Sequence, residues 1–157
     1  MTNKLEIRKA VAADVDLLYR WTNDELVRKH SFSSDIIPYE SHCEWYQKKI
    51  NDENSLFFIV EENKSPAGLV RFDIDNGSAT IGVSIDKNFR GKGLGNKIIS
   101  LGVHTYFSEN DFPILAAIKN ENIASIKSFE KAGFSFFKND VINGVESVVY
   151  QLIKNDE

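Results

Sequence analysis

A chain of 157 residues, 42% hydrophobic and 27% charged, has the size and balance of one globular domain, expected to run over 1–157. No apolar run approaches the ~20 residues that span a bilayer, and Met1-Thr2-Asn3-Lys4-Leu5-Glu6 lacks the basic start and apolar stretch of a secretory leader. A net charge of -4 argues against a nucleic-acid partner, and a single cysteine, Cys43, excludes an internal disulfide framework, so a cytoplasmic protein without a membrane partner is expected.

Leu5-Glu6-Ile7-Arg8 alternates at period two and predicts a first strand. Asp14 stands where a helix cap belongs, ahead of Val15, Leu17, Leu18 and Trp21. From Thr22 to Pro38 the chain is polar and broken; Pro38 then opens a second helix carrying His42, Trp45, Tyr46 and Ile50, which makes the region a helical lid or flank. Three strand-like runs follow, Leu56 to Val60, Leu69 to Ile74 and Thr80 to Ile85, separated by Asn63 to Pro66 and by Asp75 to Ser78. Asn76-Gly77 favours a tight hairpin because both central positions need positive φ, so the runs predict an antiparallel meander.

After a glycine-rich loop, Leu94, Ile98 and Leu101 recur at helical spacing, with Tyr106 and Phe107 closing the helix near Asn110. Ile114 to Ile118 is a short apolar run, and Ile123, Ile126 and Phe129 form another helical pattern that Gly133 stops. Phe134 to Lys138 and Val145 to Leu152 flank a second turn signal, Asn143-Gly144, and predict a terminal hairpin. The order describes an α/β domain with a mixed sheet. Edge strands and aromatics of the hairpin are compatible with a homodimer.

The loop Arg90-Gly91-Lys92-Gly93-Leu94-Gly95 joins the strand Val83-Ser84-Ile85 to a helix. Glycines let successive amides turn inward, the helix N-terminus adds partial positive charge, and Arg90 and Lys92 add full charges, so the loop is suited to phosphate. A Walker A loop would need Ser or Thr after Lys92, where Gly93 stands; a dinucleotide fingerprint would need glycine in place of Asn96 and a parallel strand before the loop. A plain surface turn is the remaining alternative from the loop alone.

Arg90-x-x-Gly93-x-Gly95 between strand and helix resembles the acetyl-CoA signature of the GNAT superfamily of N-acetyltransferases. Asn122-Ile123-Ala124-Ser125-Ile126-Lys127-Ser128-Phe129-Glu130-Lys131-Ala132-Gly133-Phe134 is similar to the second motif of the same family. The resemblance implies a mixed, mostly antiparallel sheet flanked by helices, with central strands that splay apart. It implies acetyl-CoA as acyl donor, its diphosphate cradled by Arg90, Gly91, Lys92, Gly93, Leu94 and Gly95, and its pantetheine arm paired with the backbone of Val83, Ser84 and Ile85. Asn122, Ser125 and Phe129 are implied as further cofactor contacts, Asn122 doubling as a helix N-cap. Lys131 either reaches the phosphates or sits on a solvated helix face.

The family's usual acid and base do not carry over. Thr80 stands where many members place a glutamate base, and Phe129 where they place a tyrosine acid. Candidates for a base are His42, His104, Asp73, Asp75, Glu40 and Glu44; His42 is preferred because imidazole titrates near neutrality and the flanking helix faces the family's acceptor site. No metal is expected, since His30, His42 and His104 lack ligand spacing on one element.

The acceptor wall is expected to use Trp21, Asn23, Arg28, His42 and Trp45, with Arg71 as a phosphate partner from a central strand. Trp21-x-Asn23-Asp24, His42-x-x-Trp45 and Val70-Arg71-Phe72-Asp73 together resemble acetyltransferases of nucleotide-activated amino-sugar pathways, such as pseudaminic acid biosynthesis, and imply a nucleotide-linked amino sugar as the small-molecule amine. The same N-terminal pattern is similar to ribosomal-protein N-terminal acetyltransferases, the second reading. A CoA-binding module without catalysis is the third, motivated by the missing glutamate and tyrosine.

Overall fold

The run Leu56 to Val60 lacks alternation because both of its faces are covered: Phe58 and Val60 pack into one cluster, Phe57 and Ile59 into another on the opposite face. This is the centre of strand β2 (Ser55–Glu62) in a computed structural model that describes residues 4–155. Met1, Thr2 and Asn3, the first residues of the segment weighed against a leader, lie outside the described residues. Strand β1 (Leu5–Lys9) pairs with β2, and β3 (Ser65–Asp75) and β4 (Ser78–Ile85) complete an antiparallel meander. Both turns of the meander use positive φ, at Asn63 and Lys64 and at Asn76 and Gly77.

Strand β3 begins four residues earlier than the apolar run suggests and includes Pro66. Proline is tolerated there because the register between β2 and β3 slips at Val60 and Glu61, opposite Pro66. Beyond β4 come the helix α4 (Gly95–Phe107), β5 (Ile114–Lys119), the helix α5 (Ile123–Lys131), β6 (Ser135–Ile142) and β7 (Val145–Leu152). The sheet order is β1-β2-β3-β4-β5-β7-β6, with β4 and β5 the parallel pair. Helices α4 and α5 cover one face; the other is covered by α1 (Val15–Thr22) and α3 (Tyr39–Ile50). Edge strand β6 leaves Phe136 and Phe137 exposed.

On the α4 side, Phe72 stacks on Tyr106 at 4.7 Å, and the buried Tyr106 hydroxyl donates to the Phe112 carbonyl at 3.0 Å. Each fully buried aromatic of this kind contributes about 2 kcal/mol by removal from water. Val70 and Gly102 bring β3 and α4 together: a Cβ on Gly102 would lie 2.5 Å from Val70 Cγ1.

Two local readings are corrected. The polar, broken segment from Thr22 to Pro38 holds a helix that its composition did not announce: Asp24 caps a short helix α2 (Glu25–His30), accepting from the amides of Leu26 and Val27 at 3.1 and 3.2 Å. Asp14 does not cap α1 with its side chain; its carboxylate accepts from Arg8 at 2.8 and 2.9 Å and from the Val11 amide at 2.8 Å. The Arg8 hydrogen bond holds the Asp14 carboxyl below its ordinary range and outweighs burial, which pushes it up. A depressed folded-state pKa contributes stability that is present above the unfolded value of about 3.9 and lost as pH falls through the folded value. Urea melts near neutrality and at about pH 3 are therefore expected to show a larger acid loss in the wild type than in Asp14→Asn; equal losses would contradict this role.

Candidate active site

Strands β4 and β5 are hydrogen-bonded partners only at Ala79 with Ile114 and Thr80 with Leu115. From Ile81 to Ile85, β4 keeps β3 on one side and has no strand partner on the other among the described residues. Val83, Ser84 and Ile85 therefore border a wedge-shaped gap whose open end points along both strands. An unpaired edge offers backbone donors and acceptors to an extended amide chain, and the gap fits a pantetheine arm in that respect.

At the open end, Asp86 caps a short 3-10 turn over Lys87–Phe89, accepting from the Asn88 amide at 2.8 Å. Gly91 and Gly93 follow with φ of +75° and +72°, a backbone that side chains with a Cβ rarely adopt. Gly91, Lys92 and Gly93 are exposed, while Leu94 is buried and anchors the start of α4. No side chain caps that start among the described residues, which leaves its first amides to an anion. Lys92 Nζ sits 5.5 Å from the Phe89 ring centre, at the loop's outer edge. Gly95 is set by packing: a Cβ there would lie 2.8 Å from Ser128 Oγ on α5.

The Arg90 guanidinium is turned to α2 instead of the loop, 2.6 Å from Asp24. Asn122 caps α5 by accepting from the Ser125 amide at 3.2 Å. Ser125 is half-buried, but Phe129 is only 5% exposed and packs edge-on to Phe134 at 5.0 Å. The apolar position expected to meet the cofactor is thus core, because α5 must bury one side against the sheet. Lys131 is exposed.

On the α1 and α3 side, three expected acceptor contacts turn out to be held inward. Trp21 is 5% exposed, and its indole N–H donates to Asp86 at 2.8 Å, tying α1 to the end of β4. His42 is 1% exposed, and its Nε2 donates to the Val15 carbonyl at 3.0 Å while its ring stacks with Tyr46. An imidazole packed between two helices and bonded to a backbone carbonyl is not placed to take a proton from a substrate. Asn23 spends both ends of its amide on the Ile37 backbone, donating at 2.8 Å and accepting at 2.8 Å. Among the other base candidates, Asp73 is bound by Lys49 and Ser55 at 3.0 Å each, and Glu40, Glu44, Asp75 and His104 are exposed. His30, at the end of α2, keeps Nδ1 buried without a hydrogen bond, and burial with nearby Lys29 and Lys119 lowers its pKa.

Arg28 and Arg71 are placed differently. Arg28 binds the carbonyls of Thr22, Ser33 and Asp35 and the Ser31 hydroxyl, clasping the turn after α2 with a cation that no carboxylate pairs among the described residues. Arg71 lies over the Trp45 and Phe57 rings, 5.3 and 5.8 Å from their centres, and half-buried Trp45 is committed to this stack. Its side chain crosses β4 at Gly82, where a Cβ would meet Nε at 3.0 Å. Gly82 is opposite Arg71 in register, so glycine there is what lets the guanidinium reach toward the gap. Burial lowers the pKa of both arginines, and the charge of Arg71 lowers that of Arg28 further. Sequence reasoning missed Gly82, Asp86 and the cap role of Asp24; an aspartate just before Glu25-Leu26-Val27 was a readable signal for the last.

No three His, Cys, Asp or Glu side chains converge as a metal site among the described residues. No helix among them is long and apolar enough to cross a membrane.

Residues 4–135 match the family model described as the acetyltransferase (GNAT) domain. An uncharacterized N-acetyltransferase, p20 of Bacillus licheniformis, is 30% identical over 149 residues, covering 84% of this chain and 82% of that protein. A longer protein of Methanocaldococcus jannaschii, MJ1062, is 27% identical over 138 residues, and there the match spans only 28% of the relative's length. The spermidine N-acetyltransferase of Vibrio cholerae, solved with CoA and spermine, has a TM-score of 0.85 at 22% identity over 95% of both chains. Aminoglycoside acetyltransferase AAC(6')-Ib, solved with coenzyme A, has a TM-score of 0.81 at 20% identity over 96% of this chain and 95% of that one. At such identities these two show the likeness of fold alone. With the splayed strands in one sheet, the glycine loop and the second motif at the starts of the two helices that cover it, and the family model matched over most of the sequence, the chain belongs to the GNAT acetyltransferase family.

Proposed function

We propose that the protein transfers the acetyl group of acetyl-CoA to a primary amine on a small anionic acceptor, a nucleotide-linked amino sugar. The donor half of this reading is supported by the unpaired edge of β4 for the amide arm and by the uncapped start of α4, with Lys92, for the diphosphate. The amine lone pair forms the C–N bond to the thioester carbonyl as the C–S bond breaks. CoA leaves as thiolate, which a thiol pKa of about 8.5 makes a tolerable leaving group, and the ammonium proton passes to water. Thr80 and Phe129 supply neither base nor acid, so positioning of the two substrates carries the rate.

The acceptor half rests on one observation, the Arg71 guanidinium stacked on Trp45 without an ion-pair partner among the described residues. Two neighbouring arginines, neither in a salt bridge among the described residues although Asp73 acts on Arg71 from a distance, favour a phosphate or carboxylate and repel a polycation. The relatives named for spermidine and aminoglycosides act on cationic amines, so the charge of this wall argues for a different acceptor from theirs.

A thiol-release assay with acetyl-CoA against UDP- and TDP-linked amino sugars, spermidine, kanamycin and ribosomal-protein N-terminal peptides tests this. Turnover is expected on an amino sugar and not on the polyamine. Preference for spermidine or kanamycin would overturn the anionic acceptor; turnover on a peptide would select the N-terminal acetyltransferase reading; CoA binding with no turnover would favour a non-catalytic module.

A further inference from the structure

Helix α2 is tied at both ends to the two strands that part. At its start, Asp24 receives Arg90 at 2.6 Å, just beyond the end of β4; at its close, the Lys29 carbonyl receives Nζ of Lys119, the last residue of β5, at 2.8 Å. The helix thus lies as a bar across the open end of the gap. The same Asp24 oxygen caps the helix through Leu26 and Val27, and the Asp24 carbonyl accepts from the Arg28 amide at 2.9 Å. One turn therefore links the arginine of the donor loop to the arginine that clasps the turn over Ser31–Asp35.

Burial pushes the Asp24 carboxyl up, but the bonds from Arg90, Val27 and Leu26 outweigh it and hold the group ionised below its ordinary range. If Arg90 swung to a diphosphate, this partly buried carboxylate would lose its countercharge. Lys92 on the exposed loop has no carboxylate to hold among the described residues. We propose that Arg90 is a positioning residue for the acceptor wall: with Lys119 it fixes α2 across the splayed strands, and the diphosphate is left to Lys92 and the backbone of the glycine loop.

The proposal rests on the acetyl-transfer reading only for where the donor lies, and two separate measurements keep the two apart. The variants are Arg90→Met, Arg90→Lys, Asp24→Asn, Lys119→Met and the double Arg90→Met with Asp24→Asn. Calorimetric titration with CoA is expected to give a Kd for Arg90→Met within about threefold of wild type, because no phosphate contact is lost. Amide exchange at Val27 and Arg28 is expected to quicken about tenfold in Arg90→Met and Asp24→Asn, and no further in the double variant, because both remove one contact. Arg90→Lys restores most of the protection, and Lys119→Met loosens the far end of the helix alone.

An Arg90→Met protein that binds CoA at least about tenfold more weakly with α2 exchange unchanged would overturn the proposal. Additive effects in the double variant would do the same. Absence of any CoA signal in the wild type would sink the acetyl-transfer reading, while the exchange data would still decide whether Arg90 holds α2.

Discussion

Gly102→Val is expected to lower stability by about 3 kcal/mol and the melting temperature by roughly 9 °C. The first atom of any side chain at 102 lies 2.5 Å from Val70 Cγ1 and 3.0 Å from its Cβ, well inside contact distance. Val70 cannot turn aside, because it is β-branched and fully buried in the cluster with Phe72 and Ile98. The strain must therefore pass to the backbone: α4 lifts from β3, and the Phe72–Tyr106 stack opens with it. Since α4 carries the glycine loop at its start, affinity for CoA should fall in step with stability. Gly102→Ala places the same Cβ without the branches and is expected to cost less than half as much. Calorimetric unfolding of the pair decides the matter; a valine variant that melts with the wild type would show that the helix and sheet have room to part.

Arg71→Met is expected to cut kcat/KM for an anionic acceptor about a hundredfold, and Arg71→Glu further, with the Kd for CoA unchanged. Methionine retains apolar contact with Trp45 and Phe57, so the loss reads the charge and not the packing. Glutamate would face Asp73 two residues along the strand, but Asp73 is already bound by Lys49. Rates on spermidine should rise relative to the amino sugar in the glutamate variant, because the wall's repulsion of cations is relieved. Unchanged selectivity in both variants, with matching melting temperatures, would remove Arg71 from the acceptor site.

Apart from α2, the order of strands and helices was legible because the elements announce themselves locally: Asn76-Gly77 and Asn143-Gly144 as hairpin turns, the 3.6-residue spacing of Ile123, Ile126 and Phe129, and the short apolar run of β2. The glycine loop was legible for the same reason, its glycines being a statement about backbone conformation that the positive φ of Gly91 and Gly93 bears out. Side-chain duties were not. Trp21 and His42 look like ligand-binding residues in composition, yet both are buried, with the indole N–H of Trp21 on Asp86 and Nε2 of His42 on the Val15 carbonyl, partners distant in sequence that no local pattern reveals. Arg90 carries the family signature, but its guanidinium answers Asp24, 66 positions away. Arg71 was placed by type alone; what gives it reach is the empty space over Gly82 on the neighbouring strand.

The short joint between β4 and β5 bears on how the molecule assembles and fluctuates. Strands β2 to β4 are linked by tight turns and neighbour pairing, a nucleus that can form from contacts close along the chain. The later strands attach to it through the pairs Ala79–Ile114 and Thr80–Leu115 and through the helices packed behind. Two cooperative units are expected, with the amides of β5 to β7 opening at a lower free energy than those of β2 and β3. A ligand that fills the gap would bond both units at once, so acetyl-CoA should slow exchange across the whole C-terminal half, far beyond the residues it touches.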